Sequence, residues 1–108
     1  MSVPVSLSDV PGVIDTAGQA FLVTLLDDGR AHVAGVSCST TNGIVRVSCG
    51  KRSKANAAAR PSVTMLFPAP RADGFVLLVD GDAMADIGAD GQTLIITPTS
   101  AVLHKPSR

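Results

Sequence analysis

The chain has no tryptophan and no tyrosine, and only three phenylalanines. A planar ligand therefore finds few aromatic rings to stack on and must rest on backbone and aliphatic groups. Charge is also scarce: Asp, Glu, Lys and Arg make up 17% of the residues, and the formal net charge is zero. A nucleic-acid-binding domain needs a basic excess to neutralise phosphates, so that class is set aside. The two cysteines, Cys38 and Cys49, are too few for a disulfide scaffold and lack the paired spacing of a zinc site. No apolar run reaches the roughly 18 residues that suggest a membrane span, and no signal-peptide pattern is present. These absences point to a reduced, cytoplasmic protein with neither a membrane nor a nucleic-acid partner and with no metal.

What is there is apolar: 45% of 108 residues, enough for a single domain over residues 1–108 with a small core. A small domain this poor in charge is expected to bury surface against a copy of itself, so a homodimer is expected.

Along the chain, Met1 to Gln19 is weakly patterned. Ser8 or Asp9 is placed to cap a short helix with Pro11 in its first turn. Val10, Val13, Ile14 and Ala17 would form its apolar stripe and plug one end of a barrel. Ala20 to Leu26 is a strand with apolar residues on both faces, expected to be buried on both. The hairpin turns Asp27-Asp28-Gly29-Arg30 and Thr41-Asn42-Gly43 flank a strand from Ala31 to Thr40. Ile44 to Cys49 is the next strand, β-branched and alternating. Ala55 to Arg60 is alanine-rich and helical until Pro61 ends it. Ser62 to Phe67 is a strand that Pro68 stops, and Pro68 to Gly74 is a loop.

Phe75 to Val79 is an unbroken apolar strand. Asp80-Gly81-Asp82 reads as a turn or as a bulge within one strand continuing to Ile87; the bulge is preferred, because such bends close small barrels. Ala89-Asp90-Gly91 is the last turn. Gln92 to His104 is the final strand, interrupted at Pro98, with His104 expected at the surface and Lys105 to Arg108 as a tail. The sum is mainly β: six antiparallel strands in hairpin succession forming a small barrel, one short helix between strands three and four, and a candidate N-terminal helix.

The Asn42-Gly43 turn fixes a register. If it is a two-residue turn, Thr41 faces Ile44 and Cys38 faces Val47. Val36, Cys38, Val45, Val47 and Cys49 then share the core face. Ser37, Ser39, Arg46 and Ser48 share the other, a polar strip running toward Gly50-Lys51. The cysteines come out diagonal on the core face, as two free thiols rather than a disulfide.

Gly50-Lys51-Arg52-Ser53-Lys54 places three cations, a glycine and a hydroxyl together. A helix starting near Ser53 would offer unpaired N–H groups and a partial positive charge. A phosphate there gains both, together with Lys51, Arg52 and Lys54. The plainer reading is a Ser53 cap with solvated cations. A P-loop is excluded, since Arg52 follows Gly50-Lys51 and Val45 stands where the first glycine belongs. No glycine-rich dinucleotide fingerprint follows any strand, and no nucleophile elbow supports a Ser-His-Asp triad.

Three runs together resemble the pyridoxamine 5'-phosphate oxidase-like family of flavin-binding split barrels. They are Gly43 to Ser48, Arg52-Ser53-Lys54-Ala55, and Pro61 to Pro68. Asp28 to Val33 resembles the family's second-strand entry, and Gly81-Asp82-Ala83 is similar to its fifth-strand Gly-x-Ala step. The resemblance implies a six-stranded antiparallel split β-barrel and a homodimer with FMN between its subunits. It implies phosphate contacts at Ser53 and Lys54, to which the charge of the basic turn adds Lys51 and Arg52 as candidates. It also implies contacts along the flavin from His32 to Ser37, and at Ser48 with Val47 beside it. His32 and Ser37 stand where the family has Arg and Lys. The chain stops after its last strand, without the segment the oxidases use to hold pyridoxamine phosphate, so that activity is not expected. Related branches carry the deazaflavin coenzyme or haem. The expectation is an FMN-dependent oxidoreductase of a small molecule, with a binding module or an empty dimer as its rivals.

Overall fold

The computed structural model describes residues 2–15, 19–68, 74–86 and 92–105. Ala17 of the expected helical stripe, residues 69–73 of the loop, Ile87, the Ala89-Asp90-Gly91 turn and the Pro106–Arg108 tail lie outside them. Among the described residues, seven strands form one antiparallel sheet: β1 (Ser2–Pro4), β2 (Ala20–Leu25), β3 (Ala31–Thr41), β4 (Ile44–Ser48), β5 (Ser62–Phe67), β6 (Val76–Ala85) and β7 (Thr93–His104). Two helices join them, α1 (Val10–Asp15) and α2 (Lys51–Ala59). The strand order β1-β7-β4-β3-β2-β5-β6 closes on itself through β6–β7, so β2 to β7 make a six-stranded barrel. No helix among the described residues is long and apolar enough to cross a membrane.

Two glycine turns set the hairpins. Asn42 and Gly43 both have positive φ, 51° and 81°, the pairing of a two-residue type I′ turn. Thr41 accordingly faces Ile44 and Cys38 faces Val47, the register expected from the sequence. The β2–β3 turn is one residue longer than a two-residue loop. The Gly29 N–H donates to the Leu26 carbonyl and Gly29 takes φ 85°, the geometry of a type I turn followed by a left-handed residue.

The barrel closes with a bulge at the place the sequence suggested, one strand running through Asp80-Gly81-Asp82, but the extra residue is on the partner strand β7 and not on β6. Asp80 faces Ser100 but Gly81 faces Pro98, so Thr99 is the extra residue on β7. The final strand is therefore not interrupted at Pro98. It runs through the bulge, where a missing N–H is tolerated. Gly81 is required by space: a Cβ there would lie 2.7 Å from Ile96 Cγ2 and 2.7 Å from the Thr97 carbonyl oxygen.

Inside the barrel, Leu22, Met65, Phe67, Leu77, Val79, Leu94 and Ile96 are buried, with Val45 and Val47. α1 presents Val10 and Ile14 to this core, with Val13 partly buried against it. A 3-10 turn over Leu7–Asp9 precedes α1, so the helical entry begins at Ser6 rather than at a Ser8 or Asp9 cap. α2 is tied down by a buried polar pair, in which Asn56 Nδ2 donates to Thr24 Oγ1 at 3.1 Å.

Three expectations are corrected. β2 is not buried on both faces: Ala20, Leu22 and Thr24 are buried, whereas Phe21 and Val23 are half-buried and Leu25 is exposed, because among the described residues no second layer covers their outer face. The N-terminal residues supply a seventh strand, β1, which pairs with Val102–His104 along the edge of β7 beyond where β4 ends. His104 is consequently half-buried and shares a 2.9 Å hydrogen bond with Ser2 Oγ.

Gly81→Ala is expected to lower stability by at least ~1–3 kcal/mol, the scale of overpacking. Gly12→Ala, with nothing within 4 Å of the added Cβ and a helical site, should be neutral or stabilising by up to about 1 kcal/mol. Urea unfolding of the two variants checks both; equal midpoints would contradict the barrel closure described.

Candidate functional site

The β3–β4 register divides the hairpin into an inward and an outward set. Val45, Val47 and Cys49 are buried, Val36 and Cys38 are half-buried on the same side, and Ser37, Ser39, Arg46 and Ser48 are exposed on the other. Ser37 faces Ser48, Ser39 faces Arg46, and on the far side Ser48 faces Thr93 of β7. Four hydroxyls and a guanidinium thus line one strip of the barrel's outer wall.

The strip lies in a groove. A recess of about 610 Å³ is lined by Ser37, Ser48, Cys49 and Gly50, with Gly35, Val36, Gln19 and Gln92 around it. A second recess, of about 360 Å³, shares Ser37 and Ser48 with the first and extends to Ser39, Arg46 and Thr93. A third, of about 500 Å³, lies beside α1 with Asp15, Cys38, Thr40 and Phe67 in its wall.

Gly50 ends the first recess and is also the residue that opens α2. The helix therefore begins at Lys51, not near Ser53. No side chain caps it, and its first internal bond is from the Lys54 N–H to the Gly50 carbonyl at 3.1 Å. The N–H groups ahead of Lys54 accordingly have no intrahelical acceptor, and they stand where the helix carries its partial positive charge. Nothing lies within 4 Å of a Cβ built on Gly50, so the approach to this end is open. The Cys49 N–H donates to the Gln92 carbonyl at 3.0 Å, which fixes the backbone leading into the turn.

The residues singled out from sequence are distributed as follows. Ser37 and Ser48 share the groove with Gly50, the residue before α2, whereas Lys51, Arg52, Ser53 and Lys54 are in the wall of none of the three recesses. Lys51 and Arg52 are exposed and Lys54 is half-buried. Ser53 is 1% exposed, so its hydroxyl is enclosed and is not a helix cap; only its backbone N–H belongs to the helix end. The Val47 side chain is fully buried in the core. His32 is on the inward-facing set of β3, opposite Thr24, about 17 Å along the strand from Ser37. Its Nδ1 is buried with no partner among the described residues.

Both thiols are held protonated. Burial raises the Cys38 thiol, and the Asp15 carboxylate adds to the effect. Burial raises Cys49 as well, while the nearby Lys54 ammonium pulls it partly back. That coupling ties Lys54 to a residue of the groove wall. Neither cysteine is a poised nucleophile at neutral pH.

Gln19, Gln92 and Asp86 also belong to this region and carried no sequence signal. Asp86 is far from β4 in the chain, yet its carboxylate accepts from Arg46 Nη1 and its side chain is only 12% exposed.

No protein-family model matches the chain. An uncharacterized protein of Mycobacterium bovis is 33% identical over 99 residues, covering 80% of this chain and 70% of the relative, and one from Mycobacterium tuberculosis matches to the same extent. Among solved structures, an FMN-binding protein from Syntrophomonas wolfei superposes with a TM-score of 0.75 at 11% identity, over 94% of this chain and 88% of that one. An FAD-binding protein from Mycobacterium smegmatis gives 0.70 at 16% identity, over 97% and 100%. A Listeria innocua protein named for pyridoxamine 5'-phosphate oxidase gives 0.72 at 11% identity, over 93% and 98%. The chain belongs to the family of the mycobacterial proteins and has the pyridoxamine 5'-phosphate oxidase-like split-barrel fold.

Proposed function

We propose that this protein binds FMN along the outer groove of the β3–β4 hairpin, with the phosphate at the start of α2, and acts as a flavin-dependent oxidoreductase on a small molecule. The observation that carries the reading is a groove lined by Ser37 and Ser48 that ends at Gly50, the residue from which the uncapped first turn of α2 starts. A helix end with free N–H groups and adjacent cations is a ready anion site. The flavin-binding proteins of the same fold, from Syntrophomonas wolfei and Mycobacterium smegmatis, support a flavin over other ligands. A single anion anchor favours the monophosphate.

The residues present fit the group. The N–H groups of Lys51, Arg52 and Ser53 would receive phosphate oxygens, with the Lys51, Arg52 and Lys54 side chains adding charge. Ser37 and Ser48 supply hydroxyls to the rest of the cofactor, and Val47 can contribute only backbone groups. With no tyrosine or tryptophan in the chain, the ring would rest on Gly35 and on the backbone beside it. When bound, the flavin supplies the hydride and electron transfer. The protein's part is orientation, hydrogen bonding and exclusion of water, so no general acid or base is assigned.

The protein is read as a homodimer whose second copy closes the groove. Gly35, Phe21, Leu66, Leu78 and Val102 form one row across five strands of the outer wall, each facing the next by strand pairing. Val33, 59% exposed, and Leu25, 38% exposed, lie beside it. Gly35 belongs both to this row and to the groove wall, so a copy seated on the apolar row also covers the cofactor. The two free thiols suit a reducing, cytoplasmic setting.

Lys54→Ala should weaken FMN binding at least tenfold, about 1.4 kcal/mol, and leave riboflavin, which has no phosphate, unaffected. Flavin fluorescence titration measures both; unchanged FMN affinity removes the anchor. By sedimentation velocity the protein should run as a dimer and Val33→Asp should shift it toward monomer, whereas a monomeric parent protein contradicts the interface.

A further inference from the structure

The groove has a second charged end, remote from α2. Arg46 is on the outward face of β4, opposite Ser39 and beside Ile95 of β7. It precedes Gly50 by four residues, which in a strand is about 13 Å. The recess it lines shares Ser37 and Ser48 with the recess that ends at Gly50, so the two ends belong to one continuous groove.

Arg46 is also held in place. The Asp86 carboxylate accepts from Nη1, and Asp86 is itself fixed where its N–H donates to the Thr93 carbonyl at 3.1 Å. The carboxylate is largely enclosed, whereas the Arg46 side chain is 45% exposed. A guanidinium is a planar fork with five N–H donors, and one engaged nitrogen leaves donors for a ligand. The Ser39 and Thr93 hydroxyls flank the same recess.

Resting on the flavin reading above, we propose that Arg46 is the substrate-recognising residue of the groove and that it selects a small organic monocarboxylate. The charge balance decides between anions. Arg46 and Asp86 together carry no net charge, so the pair has none with which to offset the larger desolvation cost of a phosphate dianion. A monocarboxylate matches the fork in geometry, costs less to desolvate than a dianion and takes further hydrogen bonds from the hydroxyls. A purely structural pair would do no more than tie β4 to the end of β6.

The test runs on the full chain without flavin, so it does not depend on FMN binding. The Arg46 side-chain Nε–H resonance is followed by NMR while benzoate is added, with benzamide as the uncharged control and inorganic phosphate as the competing anion. A saturable shift with benzoate, none with benzamide and weaker binding of phosphate are expected. Arg46→Gln should lower benzoate affinity at least tenfold, and Arg46→Lys, which keeps the charge but loses the fork, should also lower it. Backbone spectra of both variants check that the barrel is intact. An Arg46 signal that never saturates, unchanged affinity in the folded variants, or phosphate binding as tightly as benzoate would overturn the assignment. Loss of the flavin reading shows separately, as failure of FMN to bind the parent protein.

Discussion

The two-residue turn at Asn42-Gly43 governs the outer wall. Both residues must adopt positive φ, which asparagine and glycine accept and β-branched residues resist. The turn's twist matches that of the strands it joins, so the pairing of Thr41 with Ile44 is fixed from the closed end. A slip of one residue would turn Val45 and Val47 to solvent and push Arg46 and Ser48 into the core. Burial of each valine is worth roughly 1.5–3 kcal/mol, and a buried guanidinium lacks a partner there. The polar strip on which any ligand would lie is therefore a consequence of the core's packing.

Barrel closure supplies the second constraint. β7 is paired along one edge with β6 throughout, and along the other with β4 and then β1. Gly81 lets β6 approach so closely that no side chain fits. This places Thr93 beside Ser48 and Asp86 within reach of Arg46. The Asn56–Thr24 hydrogen bond then fastens α2 to β2, which holds the helix start at the end of the groove rather than leaving it free to swing. The site is a short, rigid meeting of three elements.

Much of this was legible in the sequence, and the misses have physical causes. Alternation and the Asn-Gly pair gave the hairpin, its register and its polar strip, because period-two patterning reports directly on which face is buried. The fold followed from six such segments and from one strand continuing through Asp80-Gly81-Asp82, although the bulge's extra residue, Thr99, is on the facing strand. Ser53 looked like a cap because serine favours that position, but Gly50 opens the helix and Ser53 falls one turn inside it, against the barrel. β1 is three residues ending in proline, too short for any pattern. His32 and Ser37 are on one strand but differ in parity, so strand proximity did not place them on one face. Gln19, Gln92 and Asp86 reach the groove from distant parts of the chain, and that arrangement is set by tertiary pairing alone.

The central claim is that a nucleotide phosphate meets the backbone at the start of α2 while the rest of the cofactor crosses Ser37 and Ser48. The most direct measurement is the map of backbone amide shifts on adding FMN. The account predicts the largest changes at Lys51, Arg52 and Ser53, with a second group at Ser37 and Ser48. Changes centred instead on the His32 end of β3, or none at the helix start, would contradict it.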